Sequence, residues 1–118
     1  MGINMNHFTM EDMQNMQREL QEKYKEKWGG LSPEKALRQM LWLYGELGEA
    51  GDIIKKEGSS QIMGDTAVRE HFIEELCDVM MYFNDVMLCY NISPQEFEQV
   101  YRKKHHTNMG RWQETPQK

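Results

Sequence analysis

The sequence has few cysteines and no long hydrophobic segment, and each shortage excludes a class of protein. Cys77 and Cys89 are its only cysteines and lie 12 residues apart, which fits neither a disulfide framework nor a zinc-binding motif. We expect both to be reduced thiols in the core. No apolar run approaches the roughly 20 residues that a membrane span needs, and residues 1–10 lack a basic region followed by an apolar core. We therefore expect a cytoplasmic protein with no membrane partner.

Patterns typical of β-structure, internal repeats and low-complexity segments are also missing. The 118 residues suffice for one hydrophobic core and are too few for two. Apolar residues make up 39% of the chain. When the nine glycines are added, the apolar fraction lies in the ordinary range of globular proteins. We therefore expect one folded domain over residues 1–118.

Charge is unevenly distributed along the chain. Residues 46–85 carry ten acidic and three basic side chains, whereas residues 102–118 carry five basic side chains and one acidic one. An acidic middle segment repels polyanions unless a cation intervenes, so we expect no DNA or RNA partner. The basic C-terminal segment is still able to hold a single phosphate chain.

Start and stop signals divide the chain into four helices. A capping box with Thr9 opens the first helix, and Ser32 and Ser93, each followed by proline, open the second and the fourth. The expected helices run from Thr9 to Gly29, from Ser32 to Gly58, from about Asp65 to Asn91 and from Ser93 to about His105. The sequence therefore predicts an all-α fold, an antiparallel bundle of about four helices joined by short loops.

The apolar stripes of these helices point to an oligomer. The first helix carries a stripe at helical spacing, formed by Met13, Met16, Leu20, Tyr24 and Trp28. The other helices have stripes of their own, and a bundle of this length has limited depth in which to bury them all. The eleven methionines suggest faces that pack against another copy. We therefore expect the bundle to oligomerise into a larger one.

Two helices each direct a pair of carboxylates toward the edge of the core. On a helical wheel of the second helix, Glu46 falls inside the apolar arc and Glu49 lies at its edge. On the third helix, Glu75 lies at the border of the apolar arc and Asp78 one step further round. All four positions therefore face the region between the two helices.

The two pairs also match in register. Residues equally far in sequence from Ile62 lie level with each other in an antiparallel hairpin that turns there, and two such pairs are Glu46 with Asp78 and Glu49 with Glu75. Four adjacent carboxylates repel one another unless they protonate or bind a cation. Oxygen ligands without histidine favour Mg²⁺ or Mn²⁺ over zinc, and the missing Glu-x-x-His motifs argue against a di-iron or redox bundle. The alternative explanation of the four carboxylates is a solvated, salt-bridged helix face.

These residues carry a resemblance to a known family. The segment Glu46-Leu47-Gly48-Glu49, 25 intervening residues and then Glu75-Leu76-Cys77-Asp78 resemble the ExxE…ExxD signature of the MazG-like all-α nucleoside triphosphate pyrophosphohydrolases, relatives of the dimeric dUTPases. The resemblance extends over roughly residues 37–111.

Three neighbouring features bear on the same resemblance. Glu74 forms, with the acid that follows it, the doubled acid that often begins the second motif, and Lys104-x-x-x-Asn108-x-x-Arg111 resembles the basic tail of the family. Gly45 is a departure, because another Glu often precedes the first motif. The departure concerns an outer contact and none of the four expected ligands.

The resemblance implies Mg²⁺-dependent hydrolysis of a (deoxy)nucleoside triphosphate to the monophosphate and pyrophosphate, in the cleaning of the nucleotide pool, with Mn²⁺ as a substitute ion. It implies a homodimer or homotetramer with the active site close to the interface. The implied metal ligands are Glu46, Glu49, Glu75 and Asp78, and the implied phosphate-binding residues are Lys104, Asn108 and Arg111. Glu46, with its apolar neighbours, is our candidate for the catalytic residue that accepts a proton from the attacking water.

Several assignments stay open at this level. Asp85, one heptad after Asp78, either lies behind the ligands or is simply exposed, and Glu74 is a second candidate for a supporting position. The aromatic residue that stacks on a base is not chosen among Trp28, Trp42, Tyr82 and Phe83. Without the family resemblance, Lys104 and Arg111 of the basic tail are interpreted as charges that complement the dipole at the C-terminus of a helix. A non-catalytic helical module that binds nucleotide or protein is the alternative function.

Overall fold

The computed structural model describes residues 7–111, and this part of the chain is all-helical, with no strand. The predicted all-α class is confirmed. The helices are α1 (Met10–Lys23), α2 (Lys25–Trp28), α3 (Ala36–Glu57), α4 (Ser59–Gly64), α5 (Thr66–Cys89) and α6 (Pro94–Arg111), with a 3₁₀ turn at Pro33–Lys35. No helix in the described range is both long and apolar enough to cross a bilayer.

Helices α3 and α5 form the antiparallel hairpin that the register argument requires, and α4 joins them. Gly58 ends α3 with a positive φ of 84°, which favours glycine. The Asp65 side chain then caps α5 by accepting a hydrogen bond from the Val68 amide at 3.1 Å. The rings of Trp42 and Tyr82 stack with centroids 6.4 Å apart. These two residues are equally far in sequence from residue 62, as the predicted register requires.

The Thr9 capping box predicted for the first helix is present. Gln14 and Gln17 are the buried residues of α1, whereas Met16 is exposed. Burial of glutamine is tolerated here because both amides donate hydrogen bonds, Gln14 to the Ile92 carbonyl and Gln17 to a carboxylate of α5. The apolar stripe that includes Met16 therefore lies partly on the surface.

Several predicted boundaries are corrected. The first helix is interrupted at Tyr24, and a separate turn, α2, continues to Trp28. The second begins at Ala36, because the residues after Ser32 form a 3₁₀ turn with no side-chain cap. The segment 58–64 contains α4, and the fourth helix continues to Arg111 instead of ending near residue 105. Helix boundaries are set by hydrogen bonds to neighbouring elements as well as by local signals.

Helix α6 leaves the hairpin instead of packing along it. After a turn in which Asn91 has a positive φ of 57°, Gln95 donates a hydrogen bond to Glu11 of α1 at 3.1 Å. Phe97 contacts Phe83 of α5 edge to face, with ring centroids 5.3 Å apart. No residue of α6 is buried, so only its first turns are held by the rest of the described chain.

Apolar side chains remain on the surface of the described chain. Along α3 the exposed ones are Leu37, Leu41, Trp42, Tyr44, Leu47 and Ile54. A second exposed apolar surface, between α1 and α5, forms a groove of about 250 Å³ that includes Met80 and Cys77. Cys77 is exposed and Cys89 is buried, so the prediction of two core thiols is correct only for Cys89.

Candidate metal centre

Three carboxylates converge between α3 and α5. One oxygen each of Glu46, Glu75 and Asp78 lies within 4.8 Å of the other two, and all three residues are half-buried. Glu75 and Asp78 share a face of α5 because they are three residues apart, and Glu46 lies level with Asp78 in the hairpin register. Oxygens on opposite sides of a Mg²⁺ ion are about 4.2 Å apart, slightly less than the 4.8 Å within which these three oxygens lie.

The cluster contains buried oxygens that no hydrogen bond compensates. In the described part of the chain, three buried side-chain oxygens have no partner, and two of them are Oε2 of Glu46 and Oε2 of Glu75. An unpaired buried carboxylate oxygen is costly because its water is removed without replacement. A proton or a cation removes that cost.

The electrostatics of Glu46 reflect this situation. Burial is the largest cause that raises the pKa of Glu46 from 4.5 to about 7, and the neighbouring carboxyl groups of Glu49, Glu75 and Asp78 contribute in the same direction. Near neutral pH, Glu46 therefore exchanges its proton readily in the absence of a cation. Glu49 is itself exposed and lies outside the group of three. It borders the cluster through Glu46.

His71 is a neighbour of the cluster that sequence reasoning missed. His71 precedes Glu75 by one helical turn on α5, and its Nε2 lies 3.5 Å from Oε1 of Glu75. The spacing of four residues between an acid and a histidine was the available signal. Glu74, the other half of the doubled acid, is exposed and is not part of the group of three.

The structure distinguishes among the four aromatic candidates. Trp42 and Tyr82 stack one helical turn from Glu46 and Asp78 along their respective helices. Burial raises the pKa of Tyr82, and the negative charge of Glu46 adds to this, as expected for a phenol beside the cluster. Trp28 instead packs on Tyr24, and Phe83 belongs to the contact with α6.

The predicted phosphate-binding residues are not brought to the carboxylates within one chain. Lys104, Asn108 and Arg111 are exposed on α6. The backbone of α6 lies beside α1, and in the described range it makes no contact with α3. The direction that the chain takes after Asn91 accounts for this separation.

Asp85 occupies a different environment from the cluster. Its side chain is 2% exposed, so the expectation that it is simply exposed is wrong. Oδ1 accepts hydrogen bonds from Nε2 of Gln17 at 2.9 Å and of Gln21 at 3.2 Å, and Oδ2 accepts one from Nε2 of Gln39 at 2.9 Å. Burial raises the pKa of Asp85, and the three amides counteract this. Its oxygens are satisfied, and it joins α1, α3 and α5.

The chain matches no protein-family model, no curated protein and no solved structure.

Proposed function

We propose that this protein catalyses the Mg²⁺-dependent hydrolysis of a nucleoside triphosphate to the monophosphate and pyrophosphate. The observation that carries the proposal is the convergence of Glu46, Glu75 and Asp78, two of which contribute a buried oxygen without a hydrogen-bond donor. These acids belong to the two motifs that resemble those of the MazG-like pyrophosphohydrolases. A protein of this kind would clean the cellular nucleotide pool.

The donor set suits the proposed ion. All of the converging atoms are carboxylate oxygens, which Mg²⁺ and Mn²⁺ prefer, and no histidine nitrogen or cysteine sulfur belongs to the group. Glu46, Glu75 and Asp78 would hold the ion, and the exposed Glu49 would complete the set from the rim. When bound, the ion supplies charge neutralisation for the phosphate oxygens and lowers the pKa of an attacking water.

The protein residues have separate tasks in the proposed reaction. Glu46 has two carboxylate oxygens, so one can serve as a ligand while the other accepts the proton of the water. Trp42 offers an exposed ring, stacked on Tyr82, against which a nucleobase can lie. The position of this pair beside the acids favours it over Trp28 and Phe83.

A second copy of the chain completes the proposed site. Because α6 has no contact with α3 of its own chain, we assign Lys104, Asn108 and Arg111 to the site of a partner copy. The exposed apolar side chains of α3 provide the surface for that association. Gly48 and Gly51 add open space on the same helix, where a neighbouring helix can approach closely. A homodimer is the smallest assembly that meets this requirement.

The decisive experiment is a panel of natural and modified nucleoside triphosphates incubated with the protein and Mg²⁺. We expect pyrophosphate, and not orthophosphate, from at least one of them. Chelation of the metal should stop its release. Pyrophosphate from none of the panel would overturn the enzyme proposal, and nucleotide binding without turnover would favour the binding module instead.

Action across two chains has its own test. The Asp78→Ala and Arg111→Ala variants should each be strongly impaired, the second by about 10- to 100-fold through loss of a charge-assisted hydrogen bond. If the two residues serve the same site from different chains, mixing the variants should restore part of the activity. Sedimentation of the mixture should show a dimer or tetramer. A monomer at micromolar concentration, or a mixture no more active than its parts, would contradict the assignment.

A further inference from the structure

A groove of about 440 Å³ lies between α3 and α5, beginning at the carboxylate cluster and continuing toward α4. Glu49 and Glu75 line its near end, and Ile53 and Val68 contribute apolar surface further along. The residues of α3 that line it recur at intervals of three and four, so they form one face of that helix. The groove is therefore a continuation of the candidate site.

Lys56 is the one lysine or arginine among the residues that line this groove. Acidic side chains share the lining, yet in the described part of the chain Lys56 forms no ion pair with any carboxylate within 4.0 Å. Its ammonium group is available to an anion in the groove. Lys55, the preceding residue, is exposed and does not line the groove, which makes it a matched control.

His71 lines the same groove from α5 and lies nearer to the acids. Its ring is mostly exposed, at 61%, and Nε2 reaches to 3.5 Å from Glu75. Lys56 lies seven residues beyond Glu49, or about 10 Å along the helix at the usual rise per residue. The two nitrogen-bearing side chains therefore lie in succession along the groove, away from the carboxylates.

The cluster has different chemistry on its two sides. Toward the N-terminal half of α3 lies the stacked pair of Trp42 and Tyr82, and toward its C-terminal end lie His71 and Lys56. A nucleotide has the same polarity, with a flat base at one end and anionic phosphates at the other. A nucleotide therefore fits in only one direction, with its base at Trp42 and Tyr82 and its phosphates toward His71 and Lys56.

We propose that this groove binds the pyrophosphate portion of the triphosphate, with Lys56 and His71 as the ligands that come from the same chain as the carboxylates. The inference rests on the proposed function, since it assumes that the α-phosphate lies at the carboxylates. The nucleotide then lies lengthwise between α3 and α5, with its base on Trp42. The leaving pyrophosphate occupies the end of the groove nearest α4.

The acidic lining explains why the groove would select a metal complex of pyrophosphate over the free anion. Asp52 and Glu57 border Lys56 and repel uncompensated phosphate charge. Divalent ions on the phosphates reduce that repulsion, while the ammonium group still forms a charge-assisted hydrogen bond. The competing explanation is that Lys56 only complements the C-terminal dipole of α3. That role predicts no effect on ligand affinity.

The test measures binding of pyrophosphate in Mg²⁺ buffer by titration calorimetry, using the full chain. For Lys56→Met we expect the dissociation constant to rise about 10- to 100-fold, as for loss of a hydrogen bond to a charged group. His71→Ala should weaken binding in the same direction. Lys55→Met should bind as the wild type does, and the affinity of Lys56→Met for a nucleoside monophosphate should stay unchanged.

The outcomes separate this inference from the proposed function. Triphosphate hydrolysis together with unchanged pyrophosphate affinity in Lys56→Met would overturn the groove assignment and leave the enzyme standing. Selective loss of pyrophosphate binding in Lys56→Met, with no hydrolysis of any triphosphate, would support the groove and overturn the enzyme. Equal losses in Lys55→Met and Lys56→Met, or no pyrophosphate binding by the wild type, would also overturn the assignment. Circular dichroism confirms that each variant is folded.

Discussion

Asp85 and Glu46 are buried or half-buried acids of the same helix pair, but their surroundings are opposite. Asp85 accepts hydrogen bonds from three glutamine amides. Glu46 has an oxygen without any donor and has other acids as its neighbours. Burial raises the pKa of both carboxyl groups, so a raised pKa does not distinguish them. The two groups are distinguished by the hydrogen-bond donors around them, which are present at Asp85 and missing at Oε2 of Glu46.

This difference separates a structural acid from a candidate ligand. The amides around Asp85 come from α1 and α3, so its network connects three helices and supplies a donor to each of its two oxygens. The cluster around Glu46 lacks donors and therefore stays incomplete without a proton or a cation. The comparison predicts that the two sites respond differently to mutation, metal and pH.

The largest expected effect is the loss of turnover in Asp78→Ala. Removal of one ligand of the proposed ion should lower kcat/KM by about 1,000-fold, a value typical for loss of an important electrostatic contact in an active site. Mg²⁺ should raise the Tm of the wild type and have little effect on this variant. The control is Glu74→Ala, which removes an exposed neighbouring acid. Full activity of Asp78→Ala would exclude the cluster as the site.

A smaller effect, on stability instead of chemistry, is expected for Asp85→Ala. The change leaves buried amides of Gln17 and Gln39 without an acceptor, and the free energy of unfolding should fall by about 3 kcal/mol. Urea denaturation measures it. Asp85→Asn keeps the shape and one acceptor oxygen, so we expect a loss of about 1 kcal/mol. Mg²⁺ should still stabilise both variants, and failure to do so would mean that the two acids belong to one site.

The smallest effect is a pH dependence of the metal-free protein. The pKa of Glu46 is raised from 4.5 to about 7 in the folded state, so between these values the folded chain holds a proton that the unfolded chain has lost. Stability should therefore decrease as the pH rises through this interval. Thermal unfolding should show a Tm that falls as the pH rises, and this fall should be smaller in Glu46→Gln. A residual decline of the same sign should remain because burial also raises the pKa of Asp85. Saturating Mg²⁺ should remove most of the Glu46 contribution, and a Tm that rises with pH in the metal-free wild type would contradict this assignment.

Much of the hairpin could be predicted from the sequence because its determinants are local. The Asp65 cap and the glycine at position 58 set the ends of α5 and α3, and the apolar arc around Glu46 indicated its half-buried position. Equal distances from residue 62 then gave the register that places Glu46 with Asp78. The burial of α1 could not be predicted, because apolar periodicity does not indicate that Gln14 and Gln17 will find acceptors.

Local sequence signals are enough to predict the helical class, the ends of α5 and the pairing of the two acidic motifs. These follow from backbone hydrogen bonding, capping and helical periodicity, which act within a few residues of the chain. The packing of the helices determines that both oxygens of Asp85 have hydrogen-bond donors while Oε2 of Glu46 has none, and that α6 turns away from α3. Those outcomes depend on which donors other helices bring to each oxygen, and residues distant in sequence supply them, such as Gln17 to Asp85.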